Sequence, residues 1–175
     1  MSKRRNARTA RIPKNAWLDR AKGIVEYRRK RSWQERQAME AGTSVPAYDP
    51  DPLMRELEIV RHGGWLKPKG LAEMRSNIHK LDAWIAARPV GRGRKPDLST
   101  LRRLWAAREL AARWHGGAKA ASWRGRVGPA SVAWAWEMMT GHPPSPEALK
   151  KQLQRARSGL LREFDQFLDA ENSVP

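Results

Sequence analysis

The side chains best equipped for chemistry in this sequence are hydrogen-bonding and cationic, and they cluster. In the stretch S145-P-E-A-L-K-K-Q-L-Q-R-A-R157, Leu149, Leu153 and Ala156 fall on one side of a helix. Lys150, Lys151, Gln154, Arg155 and Arg157 fall on the other. Gln and Arg make paired hydrogen bonds to adenine and guanine edges, and Lys reaches phosphates or guanine. A second cluster is Arg92-Gly93-Arg94-Lys95, set between Gly91 and Pro96. A third is the run Arg28, Arg29, Lys30 and Arg31. Arg4 and Arg5 stand in a basic N-terminal arm, and Arg124 and Arg126 flank Gly125 in a glycine-rich segment. These groups bind polyanions; they do not break bonds.

Catalytic chemistry has little to work with. There is no glycine-rich loop ending in Gly-Lys-Ser/Thr to cradle a nucleotide phosphate. His62, His79, His115 and His142 are scattered, and none pairs with a carboxylate at ligand spacing. Acidic residues are sparse in the basic segments, which argues against a carboxylate-held metal. Cysteine is absent, so disulfides are excluded and the usual structural zinc ligands are missing. The expectation is a protein that is not an enzyme and carries no cofactor or metal.

The charge pattern points the same way. The chain of 175 residues has 35 Lys+Arg against 18 Asp+Glu, a formal net charge of +17. Residues 1–37 hold 13 basic and 3 acidic side chains, and residues 61–127 hold 16 and 4. An acidic joint at 38–60 holds 1 and 5, and residues 128–175 hold 5 and 6. Two basic blocks therefore flank an acidic joint, with a nearly neutral C-terminal region. Such a chain attracts DNA, RNA or another polyanion. No run of 18 apolar residues is present to span a membrane, and the basic N-terminus lacks the apolar core of a secretory signal. The expected location is the cytoplasm, with no membrane partner.

The elements that must position these groups read as helices throughout. Residues 1–13 form an arm with almost nothing apolar. Trp17, Ala21, Ile24 and Tyr27 mark a helix within 14–41. GTSVPAYDPDP at 42–52 is a turn-rich linker. A short helix from Leu53 stops near Gly63-Gly64, and Leu71, Met74, Ile78, Leu81 and Ile85 trace an amphipathic helix that ends before Pro89. Asp97 or Ser99 can cap a helix running to Gly116-Gly117. Pro129 opens another, with Val132, Trp136 and Met139 on one face and Gly141 as its stop. Ser145 caps a last helix over 145–168, whose core side is Leu149, Leu153, Ala156, Leu160, Phe164 and Phe167. No segment alternates with period two. The fold expected is all-α with about six helices. It divides into a basic arm and helix at 1–41, a helical region at 53–88, and a helical domain at 97–170 whose three helices are ordered as in a helix-turn-helix unit.

Of the nine tryptophans, Trp17, Trp84, Trp105, Trp134 and Trp136 lie within helices and suit a core. Trp65, Trp114 and Trp123 lie beside glycines and cations, where aromatic groups can stack on bases.

Residues 131–160 resemble a helix-turn-helix of sigma-factor region 4, of the extracytoplasmic-function type. The residues that carry the resemblance are Ser145, Leu149, Lys150, Leu153, Arg155, Ala156, Arg157 and Leu160. The resemblance implies a recognition helix starting at Ser145 that enters the major groove by its N-terminal half. The sequence departs from that family at Pro143-Pro144 in the turn and at Trp134 and Trp136 in the preceding helix, and it has no counterpart of sigma region 2. What carries over is the helix-turn-helix, not a sigma factor. Arg92-Gly93-Arg94 resembles the Arg-Gly-Arg-Pro core of an AT-hook, which fits the narrow minor groove of A·T tracts, although Lys95 precedes Pro96 here. The same residues also suit blander roles: a solvated face on a bundle helix for 145–168, and a basic linker for 91–96.

The function expected is nucleic-acid binding, with double-stranded DNA favoured over RNA, as a regulator or architectural factor of the kind that phages and mobile elements also encode. Two alternatives stay open. One is an RNA-binding structural subunit of a larger ribonucleoprotein assembly or homo-oligomer. The other is a protein-interaction module, such as an inhibitor or adaptor, that engages an acidic surface.

Overall fold

The computed structural model describes residues 14–43, 51–89 and 97–173, apart from the side chains of 14–20, 152 and 155–158. The protein is all-α. Its elements are α1 (Lys14–Glu40), α2 (Pro52–His62), α3 (Pro68–Ala86), α4 (Leu98–Gly116), the short α5 (Ala120–Trp123), α6 (Pro129–Thr140), α7 (Pro146–Ser158) and α8 (Leu160–Glu171). A 3-10 turn at Gly117–Lys119 joins α4 to α5.

Local chemistry sets the ends. The Asp51 carboxylate accepts from the Leu53 amide at 2.9 Å, and Pro52 takes the first helical position of α2, where no amide is needed. Burial alone would raise the Asp51 pKa. The Arg102 guanidinium and the helix amides outweigh it and hold the carboxyl below the ordinary range. Its contribution to stability is therefore present above that range and fades as acid protonates it. Asp97, rather than Ser99, caps α4 by accepting from the amides of Ser99 and Thr100. Gly141 stops α6 in the left-handed region at φ 83°, a conformation that disfavours side chains with a Cβ. Ser145 caps α7, with Pro146 behind it.

The expected single helix over 145–168 is two helices. The chain leaves helical geometry at Gly159 (φ −137°, ψ −144°), where the lowest helix propensity after proline makes a break cheap. The break also resets the phase of the apolar stripe. Leu149 and Leu153 are buried on α7, whereas Leu161, Phe164 and Leu168 are buried on α8; Leu160 and Phe167 lie only partly within.

One hydrophobic core runs from Ile24 of α1 to Leu168 of α8, so the segments 53–88 and 97–170 share it. At its centre is α4, where every residue from Leu104 to Ala112 is buried. Trp105 meets Phe164 of α8 edge-on at 6.1 Å, and Phe164 in turn meets Trp84 of α3 at 5.6 Å. The periodic residues Leu71, Met74, Ile78 and Leu81 of α3 are buried as their spacing implies.

The joint between α1 and α2 needs glycine on both sides. A Cβ at Gly63 would lie 2.2 Å from Ile24 Cγ1 and 3.0 Å from the Ile24 Cα, and a Cβ at Gly23 would lie 2.7 Å from the Gly63 carbonyl oxygen. Gly63→Ala is therefore expected to cost about 1–3 kcal/mol, the usual range for overpacking. Urea denaturation checks this; an unchanged midpoint would mean the two helices part without loss.

Candidate nucleic-acid interface

The central basic block is largely turned inward. Arg102 pairs with Asp51 of the turn before α2 and lies 3.2 Å from Asp82 of α3. Arg103 holds Glu56 of α2 through two nitrogens at 2.9–3.0 Å. Arg75 pairs with Glu58, and Arg113 with Glu73 at 3.0 Å. Deepest is the cluster around Arg108 and Glu109. Arg108 Nη2 donates to both Asp165 oxygens at 2.7 Å, and Glu109 accepts from Arg113 Nε at 3.1 Å and from Arg124 Nε at 2.8 Å. Arg124 also lies 3.8 Å from Asp165 and 3.6 Å from Asp169. Burial pushes the Asp165 carboxyl upward despite Arg108 and Arg124 beside it, so desolvation dominates its balance.

This geometry corrects part of the expected phosphate surface. Arg124 is 7% exposed, and its guanidinium is spent on Glu109. Arg28 does not point to solvent either. Its Nη2 donates to the carbonyls of Met138 and Met139, each at 2.7 Å, and so closes the C-terminal end of α6. Arg31 is half-buried and lies 3.3 Å from Glu35, one turn along α1. In each case the guanidinium already has an acceptor within the fold. Arg4, Arg5, Arg92, Arg94 and Lys95 lie outside the described residues, as do the side chains of Arg155 and Arg157.

The tryptophans beside glycines are also inward. Trp65 is buried, edge-on to Trp134 at 4.6 Å and to Trp114 at 6.0 Å. Trp123 stacks on His115 at 5.8 Å, which leaves it part of the α4–α5 joint. Burial holds His115 below its ordinary pKa. Its Nε2 lies 3.1 Å from Ser131 Oγ. Among the described residues no group of His, Asp and Glu could hold a metal, and no helix is long and apolar enough to cross a membrane.

The pairings leave a distinct set of cations at the surface. On α7, Leu149 and Leu153 face the core while Lys150, Lys151 and Gln154 are exposed, the division that the spacing implies. On α1, Arg29 and Lys30 are exposed. Arg126 is exposed after α5. The Arg28 contact places the basic run of α1 beside the end of α6, where the turn into α7 begins. Acidic side chains are scarce among what remains, since eleven of them sit in ion pairs in the described residues. Among the described residues one tryptophan, Trp33 at 56%, is exposed; it follows the basic run of α1 and is not singled out by the sequence.

Comparison with protein-family models, with curated proteins and with solved structures finds no significant match to this chain.

The buried cluster makes a clear stability prediction. Arg108→Ala or Asp165→Ala alone is expected to cost about 3–5 kcal/mol, because each takes from a buried charge its hydrogen-bonded partner. The double change Arg108→Ala with Asp165→Ala is expected to cost much less than the sum of the two, which a double-mutant cycle in urea measures. Additive losses would show that the pair acts independently.

Proposed function

We propose that this protein binds nucleic acid, with duplex DNA as the favoured partner and α7 as the element that meets it. The observation that carries the reading is the division of α7: Leu149 and Leu153 buried, and Lys150, Lys151 and Gln154 presented together on the outside. The donor types suit phosphates and base edges. Arg29 and Lys30 on α1 are exposed as well and add to the cations a polyanion can meet. The resemblance of residues 131–160 to a sigma-type helix-turn-helix fits the same use of α7 as a groove reader. On this reading the protein is a regulator or architectural factor, and it is not an enzyme.

Internal ion pairing bears on the reading as well. Arginines matched to carboxylates within the fold add nothing to a phosphate contact, so the excess charge of +17 is carried by the remaining cations. Those cations are the ones a polyanion meets.

Two measurements test this. If six to ten phosphates are contacted, duplex affinity should fall roughly a thousandfold or more between 50 and 200 mM salt. A nearly flat salt dependence would sink the reading. Changing Lys150 and Lys151 together to Ala should weaken duplex binding and reduce the salt slope by about one to two, with the far-UV spectrum and melting temperature unchanged because both side chains are exposed. Binding that is indifferent to this change would remove α7 from the interface. Preference for RNA over duplex DNA of the same sequence at fixed salt would instead favour the ribonucleoprotein alternative.

A further inference from the structure

We propose that the outer face of α1 takes a single-stranded stretch of nucleic acid, with Trp33 stacking on an unpaired base between Arg29 and Arg36. The inference rests on the reading that the chain binds nucleic acid, but it concerns a different element and a different form of the ligand.

The helix has two unlike sides. Ile24 is buried, Tyr27 stacks on His62 at 4.4 Å, and Arg28 closes α6. Arg31, Glu35 and Ala38 continue this side and are half-buried. The opposite side carries Arg29, Lys30, Trp33 and Arg36, all exposed. Arg29 and Arg36 lie one turn to either side of Trp33 and are separated along the axis by about 10 Å, from the rise of an α-helix.

Among the described tryptophans Trp33 stands apart. Trp33 is 56% exposed, while Trp65 and Trp105 are buried and Trp84, Trp114, Trp123, Trp134 and Trp136 pack against the core. The other large apolar groups exposed on α1, Val25 at 51% and Met39 at 83%, are separated from it by polar residues and form no continuous groove. A second copy of the same face is a poor occupant, because it would set Arg29, Lys30 and Arg36 against themselves. The charge calls for an anion. Glu35 is held by Arg31, which leaves Glu26 and Glu40 as the acidic side chains away from that pair in the described part of the helix.

The aromatic ring selects among anions. An indole flanked by guanidinium groups is what a single strand uses: each base offers a π-face, and the cations follow the backbone. A closed duplex offers no such face unless its bases are first unstacked, which costs energy. The exposed indole therefore suits an unpaired strand better than an intact duplex.

The test uses the full chain and two fluorescent probes, a twenty-nucleotide oligo-dT and a twenty-base-pair duplex, titrated by anisotropy at one salt concentration. Trp33→Ala should lower oligo-dT affinity roughly five- to hundredfold, the range for one lost base stack, and leave duplex affinity within about twofold. Trp33→Phe should retain most of the oligo-dT affinity, since a ring remains. An unchanged melting temperature for both variants separates stacking from folding. The proposal is overturned if Trp33→Ala binds oligo-dT like the parent, if both ligands weaken equally, or if the parent binds no oligo-dT. The Lys150→Ala, Lys151→Ala variant distinguishes the two readings. Duplex binding that depends on those lysines, with oligo-dT binding indifferent to Trp33, defeats this inference alone. The reverse pattern defeats the α7 reading and leaves this one standing.

Discussion

A helix buried along nine consecutive residues cannot carry charge unless the rest of the fold supplies counter-charges. That constraint organises this protein. Between Leu104 and Ala112, α4 is enclosed, yet it contains Arg108 and Glu109. Asp165 on α8 answers the first, and Arg113 and Arg124 answer the second. The buried pairs are weak evidence for net stability, because removing charge from water costs as much as the pairing returns. They also tie α8 and the glycine-rich segment to particular positions on α4. A displaced α8 would break the Arg108–Asp165 hydrogen bonds, and a displaced glycine-rich segment would leave Glu109 with Arg113 alone. Apolar packing alone, through Trp105 and Phe164, would tolerate more slippage.

The same network explains how much of the molecule was legible in its sequence. The helices of the first half could be read because their apolar residues keep a regular period, as in Leu71, Met74, Ile78 and Leu81. Caps at Asp97 and Ser145 and the stop at Gly141 could be read because each uses a residue whose backbone or side chain has few alternatives. The break at Gly159 was hidden. One glycine within a long amphipathic pattern is tolerated in many helices, and the pattern resumes so soon that the phase shift is hard to see. The pairing of the arginines was hidden for a different reason. Arg28 and Arg124 sit in segments rich in cations, and nothing local distinguishes them from Arg29 and Arg126. Their acceptors, the carbonyls of Met138 and Met139 and the carboxylate of Glu109, are distant in sequence or belong to the main chain.

Charge in this protein therefore has two uses that composition cannot separate. Arg102, Arg103, Arg108, Arg113 and Arg124 join helices, and Lys150, Lys151, Arg29 and Lys30 face water. Guanidinium suits the first use because its planar fork can satisfy two oxygens at once, as Arg103 does with Glu56. Among the described cations, those that join helices are nearly all arginines, whereas lysines are common among the exposed ones. The side-chain chemistry thus sorts with location.

The attachment of α1 to α6 through Arg28 has a consequence for how the protein can change over time. The guanidinium grips main-chain oxygens, so it is blind to the side chains at 138 and 139. Those positions can drift among apolar residues, and α1 stays fastened. Position 28 has less latitude, since its end group must reach both carbonyls and also fit against Gly141. Half of the joint is free to vary because the other half is not.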